Sequence, residues 1–201
     1  RLLDVDYSVL GFGRYSGIRP QSDEHSDIII KNDSAKVNLI KTFWLSKEPE
    51  HLSRAYYAIF PRICTVAEIY LKDLGRSIRV FNTHLDHKGK TARAEGVKLV
   101  VAQIAAIAGK TPAILGGDFN TPTDSPIFRP LTKTMKSARD KAPETDREGT
   151  FNGFGSAPDT IVIDHLYFRG KLKCLRFATL TGDYGAPYIS DHYPISMTFS
   201  L

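Results

Sequence analysis

Asp118 and Asn120 stand two residues apart in Gly116-Gly117-Asp118-Phe119-Asn120, directly behind the apolar run Ala113-Ile114-Leu115. On an extended chain that spacing sends both side chains out on the same side. A carboxylate able to hold a hard cation then stands beside a carboxamide able to hold an oxyanion. Cleavage of a phosphate ester needs this pair. The same five residues also read as an ordinary Asp/Gly/Asn turn, with the glycines letting the backbone bend sharply. The pentapeptide alone does not choose between the two.

Three further polar clusters fall at the carboxyl ends of expected strands: Asn82-Thr83-His84-Leu85, Ile163-Asp164-His165 and Ser190-Asp191-His192-Tyr193-Pro194. Each has a plain explanation when taken singly. A strand-end His is commonly a hydrogen-bonded structural residue, Ser190-Asp191 can be a turn before Pro194, and Asp164 can be a buried acid paired with an Arg. Four such clusters at strand ends, all of hard-metal or acid–base type, point instead to one site. Asp and Asn oxygens suit Mg²⁺ or Mn²⁺, whereas zinc would call for more His or Cys.

The elements that must position these residues follow from periodicity. Residues 63–71 alternate as a half-buried strand, residues 73–76 make a turn, and residues 77–85 return as a second strand. In that strand Ile78, Val80, Asn82 and His84 share a face. Lys90–Ala108 carries Val97, Val100, Val101, Ile104 and Ala108 at helical spacing, stopped by Gly109 and Pro112. The apolar segment 113–117 reads as a central strand covered on both faces. Strands are also expected at 160–168 and 195–201. The stretch 121–154 reads as surface loop with one short helix near 126–131.

Composition sets the frame. The chain has 201 residues, 42% hydrophobic and 24% charged, enough for one domain with a real core (residues 1–201). No run approaches the ~18 apolar residues of a membrane helix. Two cysteines, Cys64 and Cys174, lack CxxC spacing, so thiolate zinc sites are excluded; a single disulfide stays open, with two reduced core cysteines the better reading. The net charge of +5 comes from dispersed Lys and Arg and favours anionic partners only mildly. No targeting segment is visible at the amino terminus, and the compartment, cytoplasmic or secreted, stays open.

In order and spacing these clusters resemble the endonuclease/exonuclease/phosphatase superfamily, the fold of deoxyribonuclease I. The resemblance runs from end to end, through Gly11-Phe12-Gly13-Arg14, Thr42-Phe43-Trp44-Leu45-Ser46, Pro61-Arg62-Ile63-Cys64-Thr65, Asn82-Thr83-His84-Leu85-Asp86-His87 and Gly116 to Asn120. It continues in Thr150-Phe151-Asn152-Gly153-Phe154, Ile163-Asp164-His165 and Ser190-Asp191-His192, and looks most like the bacterial metal-dependent hydrolase branch. The resemblance implies an α+β fold, a four-layered α/β sandwich of two packed, mostly antiparallel sheets flanked by helices. By position it implies that Asp118 orients or deprotonates the attacking water and Asn120 holds a phosphate oxygen. His192 then pairs with Asp164 and contacts the scissile phosphate, Asp191 and Asp118 reach the metal, and Glu24 pairs with His84 as a second dyad. Arg62 and Asn82 are implied phosphate-side donors, and Arg14 is either a rim charge or a substrate contact.

The chain also departs from the family pattern. Two strands, the second carrying a principal metal-binding Glu, are not found, and Arg1-Leu2-Leu3 reads as the end of the helix that follows them. Weak or absent Mg²⁺ binding is therefore expected of this chain, because hard-cation affinity follows the count of charged ligands. The leading expectation is a Mg²⁺-dependent phosphoesterase acting on a phosphodiester or phosphomonoester. A catalytically silent scaffold of the same fold is the rival, and a nucleic-acid-binding module lacks any recognition motif. Nucleic acid, nucleotide, phospholipid head group and sugar phosphate all present the same phosphate. Choice among them would lie in loops 17–26, 47–60 and 122–152.

Overall fold

Alternating apolar residues place strand after strand around two cores. The computed structural model describes residues 6–19, 23–158, 160–182 and 184–201, so the helix-end reading of Arg1-Leu2-Leu3 lies outside the described residues. In chain order the strands are β1 (Tyr7–Leu10), β2 (Ile28–Lys31), β3 (Ala35–Trp44), β4 (Ile63–Leu71) and β5 (Arg76–His84). Helix α1 (Lys90–Ala108) leads to β6 (Ala113–Asp118), α2 (Arg129–Thr132), β7 (Lys136–Ser137) and α3 (Ala138–Lys141). Strands β8 (Asp164–Arg169), β9 (Lys173–Thr179) and β10 (Ile195–Ser200) complete the series.

Six strands form one sheet in the order β3-β4-β5-β6-β8-β7. Only β5 and β6 are parallel, the crossover being α1; the other neighbours are antiparallel. One face packs under α1. Val97, Val100, Ile104 and Ala108 bury against Phe81, Leu85, Leu115 and Phe43. Gly96 lets the helix approach, since a Cβ there would lie 3.3 Å from Leu85 and 3.4 Å from Leu45. The other face packs against two antiparallel pairs, β1–β2 and β9–β10, through Leu10, Ile28, Ile30, Cys174 and Phe177. Both cysteines are free and buried.

Between β2 and β10 this second layer is open. A cavity of about 490 Å³ lies there, floored by Val80, Ile114 and Leu166 and flanked by Ile28 and Ile195. At its polar end stand Asp27, Asn82, Asp118, Asp164 and His192.

Two details go beyond expectation. Gly116 and Gly117 end the strand expected over 113–117 without a turn, and β6 runs on to Asp118; they pair with Asn82 and Thr83 on one side and Leu166 and His165 on the other. A Cβ on Gly117, at φ +144°, would lie 1.8 Å from the Thr83 carbonyl oxygen. The glycines are there for close strand approach rather than for a bend. The strand expected over 160–168 begins only at Asp164, because the Ile161 carbonyl accepts from Thr150 and Phe151 N–H instead of joining the ladder.

Candidate active site

Strand register builds the centre of the site. His84 at the end of β5 lies opposite Asp118 at the end of β6, and Asp118 lies opposite Asp164 at the start of β8. A histidine and two acids therefore form one row across three strands.

Two histidines of the cleft, His84 and His192, are each held from behind by a carboxylate. His84 Nδ1 is 2.9 Å from Glu24 Oε1, and His192 Nδ1 is 2.8 Å from Asp164 Oδ2. Their Nε2 atoms both turn toward Asp118 Oδ2, at 3.2 Å and 4.0 Å. Asn120, in the left-handed region at φ 47°, folds back so that its Nδ2 donates to Asp118 Oδ2 at 3.1 Å and to the Leu85 carbonyl at 3.1 Å. The same Nδ2 is 3.0 Å from His84 Nε2. Only a neutral ring, with its lone pair on Nε2, can accept from Asn120, while a protonated ring donates to Asp118. Nε2 is thus the nitrogen of His84 that exchanges its proton.

Electrostatics follow from these contacts. Burial opposes the charge on Glu24, but the His84 imidazole, then Arg62 and Arg14, outweigh it and hold the carboxyl down to about 2. Burial likewise opposes His84, yet bonds to Asp118 and Glu24 raise its pKa above the ordinary value. Asp118 is lowered against its own burial, chiefly by His84. For His192 the Asp164 bond dominates and raises the pKa, with burial working the other way.

Two loops hold this row in place. Arg14 and Arg62 clamp Glu24 from both oxygens, Arg14 Nη1 at 3.0 Å from Oε2 and Arg62 Nη1 at 2.6 Å from Oε1. Thr150 Oγ1 accepts from the N–H groups of Ile163 and Asp164, each at 3.0 Å. Buried Asn152 donates to the Ser190 carbonyl at 3.2 Å, and Phe151 sets its ring edge-on to His192 with centroids 5.0 Å apart. The Thr-Phe-Asn-Gly-Phe stretch is therefore the splint of the Asp164–His192 pair. Thr150 and Asn152 had no assigned role in the sequence. The signal available for them was an uncharged polar residue inside a stretch with aromatic neighbours.

Glu24, Arg62, His84, Asp118, Asn120, Asp191 and His192 line one cleft of about 520 Å³. Asp164 stands directly behind His192. Three of the expected substrate-side residues are placed as follows. Asn82 lines the adjoining cavity, and one N–H of its Nδ2 is donated to the Asp27 carbonyl at 2.9 Å, so it anchors the entry to β2. Arg62 reaches the cleft, but its two terminal nitrogens are engaged by Glu24 and by His87 Nδ1, at 2.6 and 3.2 Å. Arg14 is buried and internal to the clamp, not a rim charge.

The model of the Endonuclease/Exonuclease/phosphatase family matches residues 22–192, well over half of the chain. The chain belongs to this family. Its members are hydrolases acting on phosphate esters. No curated protein matches the chain. Among solved structures, an endonuclease/exonuclease/phosphatase from Bacteroides vulgatus is 28% identical with a TM-score of 0.89, covering 98% of this chain and 77% of that one. A mannosyl-6-phosphatase from Bacteroides thetaiotaomicron is 29% identical with a TM-score of 0.88, covering 98% and 78%. The human Nocturnin catalytic domain, 15% identical with a TM-score of 0.73 over 98% of this chain and 73% of that one, shares the fold. The α+β architecture of the deoxyribonuclease I type is thus the fold of this protein. No helix among the described residues is long and apolar enough to cross a membrane.

The family is generally dependent on a divalent metal. Among the described residues no three His, Cys, Asp or Glu side chains converge as a metal site. Asp118 already accepts from the Asn120 N–H at 2.7 Å, from Asn120 Nδ2 and from His84, and Asp191 accepts from Ser190 Oγ at 3.3 Å. A hard cation takes about six oxygen ligands. The acids present, already engaged in these bonds, do not by themselves make such a centre.

Proposed function

We propose that the protein is a phosphoesterase that hydrolyses a phosphate ester by in-line attack of a water held at Asp118. One observation carries this reading: two imidazoles, each fixed at Nδ1 by its own carboxylate, turn Nε2 toward the same Asp118 oxygen. Held ionised, Asp118 accepts a hydrogen bond from the water and aims its lone pair at phosphorus. The raised pKa of His192 keeps Nε2 protonated further into the neutral range than a free imidazole, suiting it to protonate the leaving oxygen. His84, between Glu24 and Asp118, takes the proton that the water gives up. Asn120 stands at the position of a phosphate-oxygen donor once its amide turns from Asp118.

We place a sugar phosphate first among the substrates, on the strength of the mannosyl-6-phosphatase at 29% identity. If Mg²⁺ or Mn²⁺ takes part, Asp118 and Asp191 are the acids that would meet it. The incomplete acid set also favours a second reading, a silent binding member of the same fold. The test is phosphate release from a panel of a hexose 6-phosphate, a nucleoside monophosphate, a phosphodiester and a phospholipid head group, with Mg²⁺ and with Mn²⁺. Turnover of any panel member supports the enzyme; tight binding without turnover supports the silent form.

A further inference from the structure

His87 lines the same cleft and has no part in the row described above. Arg62 Nη2 lies 3.2 Å from its Nδ1. A guanidinium offers only N–H donors, so Nδ1 is the acceptor and the neutral ring carries its proton on Nε2. Among the described residues nothing accepts from that Nε2, and the side chain is exposed. The ring stacks on Phe60, with centroids 6.0 Å apart and planes at 25°. Phe60 in turn has the Arg14 guanidinium 4.4 Å from its centroid.

One buried carboxylate ties both partners down. Asp86, 2% exposed, accepts from the N–H groups of Ile59 at 2.8 Å, Lys88 at 3.0 Å and Gly89 at 2.6 Å. The residue before Phe60 and the residue after His87 are thus fixed to the same group. A preformed polar donor in a cleft, its ring braced by an aromatic neighbour, is the usual orienting element of a small-molecule subsite.

Contacts give this subsite its place. His87 touches Arg62, Arg62 touches Glu24, Glu24 touches His84, and His84 and His192 flank Asp118. His87 therefore stands at one end of the row, with the hydrolytic centre in the middle. Beyond His192, the far end is apolar, with Phe151, Ile161 and Ile163. A group attached to a phosphate at Asp118 and extending toward His87 meets the Nε2–H of a ring braced by Phe60. A hydroxylated ring, with oxygens at its edge, matches that donor.

We propose that His87, braced by Phe60, forms a sugar-ring subsite in which His87 Nε2 donates to an oxygen of the ring that bears the scissile phosphate. His87 is a specificity residue and the proposal rests on the phosphoesterase reading. The experiment measures kcat and KM on a hexose 6-phosphate, a nucleoside monophosphate and methyl phosphate for the wild type, His87→Ala and His87→Gln. His87→Ala is expected to raise KM for the hexose 6-phosphate about ten-fold, the size of one lost hydrogen bond, with kcat within about two-fold. The preference for hexose 6-phosphate over methyl phosphate then falls by the same factor. His87→Gln, whose amide accepts from Arg62 and still donates, restores most of it. Equal losses on hexose 6-phosphate and methyl phosphate, an unmoved preference, or an effect on the nucleotide alone would overturn the proposal. If no phosphoester is turned over, the phosphoesterase reading fails separately, and saturation-transfer NMR with the hexose 6-phosphate decides the subsite. Contacts to ring protons that vanish in His87→Ala support it, and absence of contacts in the wild type overturns it.

Discussion

His192 Nδ1 lies 2.8 Å from Asp164 Oδ2, and that contact determines which ring nitrogen works in the cleft. With Nδ1 donating to Asp164, Nε2 is left to face Asp118. Asp164 is also the largest cause of the raised His192 pKa. An activity that needs protonated His192 falls as pH rises through that raised value, above about 6.5. Asp164→Asn keeps an acceptor for Nδ1 but removes the charge. The basic limb of the pH–rate profile should move to lower pH, with kcat reduced about ten- to hundred-fold. An unmoved limb would show that His192 is not the group titrating.

Glu24 links the clamp to stability. Its folded pKa, about 2, lies below the unfolded value of about 4.3. Its contribution is fully present above the unfolded value and disappears as pH falls through about 2. Glu24→Gln should therefore lower Tm relative to the wild type at pH 6, and the gap should close on acidification toward pH 2. Thermal melts across that range check it; a gap independent of pH would place the effect in packing.

Raised folded pKa values make His84 and His192 act in the opposite direction. Their contribution is present below about 6.5 and is lost as pH rises through the folded values. Denaturant titrations should show the wild type losing more stability than His192→Gln between pH 6 and pH 9. Parallel losses would mean the imidazole charge does not stabilise the fold.

Gly117 leaves no room for a side chain, since its Cβ would sit 1.8 Å from the Thr83 carbonyl oxygen. Gly117→Ala must push β5 and β6 apart at His84 and Asp118. A loss of about 3 kcal/mol or more is expected in a denaturant titration. A loss below about 1 kcal/mol would show that the two strands do not pack this closely.

The incomplete set of acids bears on metal binding. Calorimetry of this chain with Mg²⁺ should give a dissociation constant weaker than about 100 μM, as ligand count sets hard-cation affinity. Micromolar affinity would mean that Asp118 and Asp191 converge on a cation more fully than their present bonds allow.

Helix α1 was legible to the residue, because its apolar stripe and the Gly109 stop leave no other reading. The short helix near 126–131 and the strands β4, β6 and β10 were legible for the same reason of strict periodicity or apolar continuity. Strand β3 was not, since a register shift between Val37 and Leu39 breaks its alternation. At the site, the acids and histidines announced themselves by type and by position at strand ends. The Arg14–Glu24–Arg62 clamp did not, because it joins side chains 38 positions apart through a loop without periodicity. Gly116 and Gly117 were legible as the end of a strand, but the reason for them was not, because the sequence shows glycine without showing the neighbouring strands that demand it.

The most direct test of the hydrolytic centre is the rate of phosphate release by His192→Ala on the best substrate of the panel, with its circular dichroism spectrum matching the wild type. The two-imidazole site predicts a fall of about a thousand-fold, the usual worth of a positioned acid. A rate within about three-fold of the wild type would contradict it.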